Sequence, residues 1–120
     1  MIIPILEKID TYLSDDSLSF FIMEPVGLPC FLQFAKIGDE VILDIPSSNF
    51  FSDGMDLQLT ELLKMKYNKA ATTQKEEDRV TSYQVRFSKP ESNKMCYIVK
   101  DIFHSILLVN EDSNLTIVMR

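Results

Sequence analysis

The chain has 120 residues and a mass of 13.8 kDa, which sets residues 1–120 as a single domain. Twelve basic against eighteen acidic side chains give a net charge of −6 and a pI near 4.7, a balance that repels phosphate backbones and argues against nucleic acid as a partner. An apolar fraction of 46% supports a packed core and argues against disorder, while no apolar stretch nears the roughly 20 residues that span a bilayer, so no membrane role is expected.

Met1-Ile2-Ile3-Pro4-Ile5-Leu6-Glu7-Lys8 has an apolar run without a basic lead or a small-residue cleavage site. It does not read as a signal peptide, and a cytoplasmic location is expected. Ile2, Leu6, Ile9 and Leu13 share one face of a predicted helix that the Ser14-Asp15-Asp16-Ser17 cluster ends. Leu18 to Met23 reads as a strand closed by Glu24-Pro25 and Gly27. Cys30 to Ile37 and Glu40 to Ile45 form a predicted hairpin around Gly38-Asp39, with Val41, Leu43 and Ile45 on one strand face.

Pro46 to Gly54 is a predicted loop carrying Phe50 and Phe51. Asp56 then caps a second helix through Leu57, Leu59, Leu62, Leu63 and Lys66, ending at Asn68. Ala70 to Thr73 is a weak strand, and Gln74 to Arg79 is a polar hairpin connection or mobile loop. Val80 to Ser88 alternates, with Tyr83, Val85 and Phe87 opposite Ser82, Gln84 and Arg86. Pro90, Glu91 and Ser92 open the last helix, Ser92 as its cap, and Met95, Ile98, Val99, Ile102, Phe103, Ile106 and Leu107 recur there at helical spacing. Leu115 to Met119 is a short tail or edge strand. The order α-β-β-β-α-β-β-α plus this tail predicts an α+β fold, an antiparallel sheet with helices packed on it.

Little here carries chemistry. Cys30 and Cys96 form no CxxC, the only histidine is His104, and Asp39, Asp44, Asp53 and Asp56 lack calcium-loop spacing, so no metal or other cofactor is expected. The cysteines read as reduced thiols. Gly27, Gly38 and Gly54 are isolated and cradle no phosphate. An enzymatic alternative would pair His104 with a loop carboxylate from Asp15-Asp16, Glu76-Glu77-Asp78 or Glu111-Asp112, but no nucleophile accompanies it in sequence, so no catalytic residue is assigned.

Apolar surface is the stronger signal. Leu18, Phe20 and Ile22 alternate with Phe21 and Met23, and Phe31, Ala35 and Ile37 with Leu32 and Phe34, so both faces of these strands are apolar. A sheet bare on one side should alternate apolar with polar. Either the first helix or the Phe50-Phe51 loop covers the second face, or that face receives a partner, a second copy or an extended peptide.

The segment Leu59-Thr60-Glu61-Leu62-Leu63-Lys64-Met65-Lys66-Tyr67-Asn68 is similar to the paired-leucine second helix of the type III secretion chaperone-like superfamily. Ile98-Val99-Lys100-Asp101-Ile102-Phe103-His104-Ser105-Ile106-Leu107 resembles its terminal helix. The superfamily comprises class I secretion chaperones and YbjN-type domains. The resemblance implies a homodimer, without enzymatic activity, that holds an extended segment of a partner protein on apolar patches; here these would involve Phe20, Ile22, Phe31, Phe34 and Val41. A regulatory or accessory protein of the same fold, without chaperone activity, is the alternative.

Overall fold

A computed structural model describes residues 2–88 and 91–120, with the backbone alone at positions 2 and 3. Pro90 and the Ile2 side chain, both assigned roles from sequence, lie outside the described residues. Helix α1 (Ile2–Ser14) buries Ile5, Ile9 and Tyr12, spaced to share one helix face. Leu6 and Leu13, expected at the centre of that face, are its half-buried margins. Tyr12 takes the centre because its hydroxyl is satisfied, donating to the Ser19 carbonyl at 2.8 Å. The Asp15 carboxylate accepts from the Ser17 N–H (3.0 Å) and hydroxyl (2.6 Å), a side-chain turn that stops the helix. Those bonds hold the Asp15 carboxyl below its usual range.

Strands β1 (Phe20–Pro25), β2 (Leu32–Ile37) and β3 (Glu40–Pro46) form an antiparallel meander, and β1 and β2 each begin two residues later than expected. Gly38 supplies the positive φ (59°) of the two-residue turn between β2 and β3. From β2, the Lys36 ammonium reaches under α1, lies 4.3 Å from the centre of the Tyr12 ring and donates to the Tyr12 (2.5 Å) and Asp15 (2.9 Å) carbonyls. It thereby satisfies one carbonyl of the last helical turn and one just beyond it, with a charge of the sign that suits a helix C-terminus.

A 3₁₀ turn (Ser47–Asn49) leads to α2 (Met55–Tyr67), which buries Met55, Leu59 and Leu63. Its cap is Gly54 in the left-handed region (φ 86°), not Asp56, which sits in the first turn where its charge suits the helix dipole. Leu57 points to solvent at 61% exposure. Asn68, left-handed at φ 52°, ends the helix as expected. Strands β4 (Thr72–Glu76) and β5 (Arg79–Ser88) pair antiparallel around Glu77 and Asp78, both left-handed (φ 51° and 67°). The polar segment is thus a hairpin whose strand extends into Gln74-Lys75-Glu76, and every residue of β4 is exposed.

Helix α3 (Ser92–Asp101) runs into a π turn (Ile102–Ile106). Glu91, not Ser92, is its cap residue; its carboxylate turns back to the Ser88 N–H and hydroxyl at 2.9 Å each. All seven apolar residues expected on this helix are buried. The wide turn ends at Leu108, a left-handed leucine (φ 57°). Strand β6 (Leu115–Met119) completes an antiparallel six-stranded sheet of order β4-β5-β3-β2-β1-β6. The fold is α+β in the expected element order, the tail being a strand paired with β1.

The core lies between the helices and one sheet face. Tyr12, Phe21, Phe34 and Phe87 run through it, with successive ring centroids 5.4, 6.0 and 6.2 Å apart. Val41, Leu43, Ile45 and Val85 surround them, all fully buried.

Candidate functional site

Strand pairing defines the other sheet face residue by residue. Ile22 pairs with Val118 on one side and Gln33 on the other, and the row continues through Asp44, Gln84 and Thr72. Phe20 pairs with Ala35, Ala35 with Ile42 and Ile42 with Arg86. Side chains directly opposite in antiparallel strands share a face, so these two rows stand on the face away from Phe21, Phe34 and Leu43.

The face is divided. On β6, β1, β2 and β3 it is apolar: Val118 (43% exposed), Ile22, Phe20 (44%), Ala35 and Ile42, with Ile37 (58%) at the rim. Ile42 is buried at 4% yet belongs to no helix-side core, since its cover comes from its neighbours on this face. Toward β4 the face is polar. Gln33 and Gln84 both donate to the Asp44 carboxylate, at 3.3 and 3.4 Å, and Gln74 donates to Gln84 at 3.3 Å. Arg86 pairs with Glu40 at 3.0 Å. The polar half has its hydrogen bonds made within the face; the apolar half meets solvent. A shallow depression on that half, lined by Ser19, Phe20, Ile22, Gln33 and Arg120, has a volume of about 390 Å³.

Of the five side chains assigned to a partner patch from sequence, the structure brings two together here, Phe20 and Ile22. Phe34 and Val41 are corrected: both are fully buried on the opposite, helix-covered face and no partner reaches them in the folded chain. Phe31 lies in the loop before β2, half-buried. Its backbone is clamped by the Asn49 side chain, which accepts its N–H at 3.0 Å and donates to its carbonyl at 2.6 Å. Missed from sequence were Val118 and Ile42. The hairpin register contained the signal: a two-residue turn at Gly38-Asp39 sets Phe34 opposite Leu43 and Ala35 opposite Ile42. Since Val41, Leu43 and Ile45 form the wholly apolar face of β3, Phe34 had to join them.

A second apolar concavity lies among loops, lined by Leu28, Pro29, Cys30, Ser48, Asn49, Phe51 and Leu107, with a volume of about 180 Å³. It is smaller than the roughly 300–1,000 Å³ typical of cofactor sites. Cys30 and Cys96 are not joined in a disulfide, and burial pushes both thiols up, away from the reactive thiolate.

His104 stands in the π turn, half-exposed, its Nδ1 3.4 Å from the Val109 carbonyl and its Nε2 3.9 Å from the Glu111 carboxylate. The open depression beside it is lined by His104, Leu108, Val109, Asn110, Glu111 and Asp112. A histidine and a carboxylate come near one another there, but none of these residues is a hydroxyl or thiol nucleophile. Among the described residues no group of three His, Cys, Asp or Glu side chains is placed to hold a metal ion, and no helix is long and apolar enough to cross a membrane.

No protein-family model matches the chain, and neither a curated protein nor a solved structure shows significant similarity to it.

Proposed function

We propose that the chain is a non-enzymatic, chaperone-like protein-binding domain, homodimeric and cytoplasmic, of the type III secretion chaperone-like kind. Its apolar half-face holds an extended segment of a partner protein. One observation carries this reading: all three helices pack on one side of the sheet, and the other side bears a contiguous solvent-facing patch of Phe20, Ile22, Ala35 and Val118.

The physical mechanism is burial of a partner's apolar side chains. Each large side chain taken fully out of water contributes roughly 1.5–3 kcal/mol. A few such anchors give roughly micromolar affinity once association costs are subtracted. The polar ladder around Asp44 is hydrogen-bonded within the face and frames the patch rather than adding to it. An extended segment suits a surface this flat, because its alternate side chains all point one way.

The test is an array of unstructured peptides carrying large apolar residues at alternate positions, probed with the wild-type protein and two variants. Phe20→Asp is expected to abolish capture, and Gln84→Asp, on the polar half, to leave it intact, with circular dichroism showing both folded. Equal capture by all three proteins, or none by the wild type, rejects the patch.

A further inference from the structure

The two edges of the sheet are built differently. At β4 the pairing is irregular between Gln74 and Lys75 and the strand ends in the charged Lys75 and Glu76, features that obstruct addition of another strand. At the other edge, β6 reads Leu115-Thr116-Ile117-Val118-Met119, with no charge, no proline and no bulge in its pairing.

The bonds from β6 to β1 settle which of its backbone groups remain. Phe20 and Arg120 exchange both N–H···O=C bonds, at 2.6 and 3.0 Å, and the Val26 N–H reaches the Asn114 carbonyl at 2.9 Å. Ile22 pairs with Val118 and Glu24 with Thr116 between them. Antiparallel alternation therefore turns the N–H and C=O of Thr116 and Val118 toward β1 and those of Leu115, Ile117 and Met119 outward. The side chains of these three outward-bonding residues lie against the core, each only half-buried.

We propose that this edge is the seam of a homodimer, in which β6 of a second copy pairs antiparallel about a two-fold axis at Ile117. The inference rests on the homodimeric reading above and gives it a location. In that register Ile117 faces its own counterpart and Leu115 faces Met119 of the second copy. Every outward N–H and C=O of both strands is then used, a match that follows from the outward groups being spaced symmetrically about Ile117. Arg120 comes opposite Asn114 of the second copy, beside its acidic Glu111-Asp112 turn; a parallel pairing would instead set like ends together. On the open face Val118 meets Thr116 of the second copy, so the apolar half-faces of the two chains become one strip across the axis.

A five-residue seam is small beside standard interfaces of roughly 1,200–2,000 Å², so the dimer is expected to dissociate on dilution. Sedimentation velocity over a dilution series tests it, with three proteins. The pair Thr116→Lys and Val118→Lys sets like charges opposite one another twice across the seam and is expected to weaken the dimer about tenfold. The pair Thr116→Lys and Val118→Glu sets opposite charges there and is expected to restore it. Both positions are substantially solvent-exposed, and circular dichroism checks that the fold persists. A wild-type chain that stays monomeric throughout overturns the seam and the homodimeric reading together, leaving the edge to an extended peptide. A wild-type dimer indifferent to the double lysine variant, or one the lysine–glutamate pair fails to restore, overturns the seam alone.

Discussion

Phe20 and Phe34 carry the same side chain on neighbouring strands and differ in which way the pleat points them. Phe34 sits between the rings of Phe21 and Phe87 and is fully buried; Phe20 stands across the sheet at 44% exposure. Truncating a buried phenylalanine removes its transfer free energy and leaves a cavity. Phe34→Ala is therefore expected to cost about 3–5 kcal/mol, and Phe20→Ala less than about 1 kcal/mol, both read from urea unfolding midpoints. Comparable costs at the two positions would contradict the face assignment. The sequence distinguished the two apolar sets of β1 and β2 by their alternation. Which set faced inward needed the register with β3, because a period of two labels faces without ranking them.

Helices α2 and α3 are tied where their C-terminal ends meet. The Asp101 carboxylate, at the end of α3, accepts from the Tyr67 hydroxyl and forms an ion pair with Lys66 at 2.7 Å, both on the last turn of α2. Burial alone would raise the Asp101 carboxyl, but the hydrogen bonds from Lys66 and Tyr67 outweigh it and hold the group below its usual range. The Tyr67 hydroxyl is pushed up, by burial and by Asp101. A carboxyl lowered on folding stabilises the native state above its unfolded value, near pH 4, and loses that contribution as pH falls through the native value. Thermal melts between pH 2.5 and 7 are expected to show Asp101→Asn less stable than wild type at neutral pH, with the gap closing below about pH 4. A gap independent of pH would mean the carboxylate charge is not what joins the helices. None of this contact was legible in sequence, since Tyr67 and Asp101 are brought together only by packing. The helices themselves were, because apolar residues at helical spacing are a local signal.

At the scale of the whole molecule, among the described residues, one core serves all three helices and five of the six strands, with only the hairpin strand β4 wholly outside it. A chain of this size with one core unfolds as a unit. Far-ultraviolet circular dichroism and fluorescence from the four tyrosines, in a chain without tryptophan, are expected to give coincident urea transitions. Separate transitions would divide the core in two. At this scale the asymmetry of the sheet also emerges: helices on one face, an apolar half beside the bare β6 edge, and a polar half beside the obstructed β4 edge.

The sequence by itself determined the elements through the last helix and their order, because hydrophobic period, turn residues and breakers act over a few neighbours; that the tail is a strand was decided by its pairing with β1. It also determined that the strands of β1 and β2 are apolar on both sides. Only the tertiary structure decided that Phe34 and Val41 are core while Phe20, Ile22 and Val118 share the open face. That choice depends on which residues pair across strands far apart in the chain and on which side the connecting helices pack. Neither is a property of any single segment.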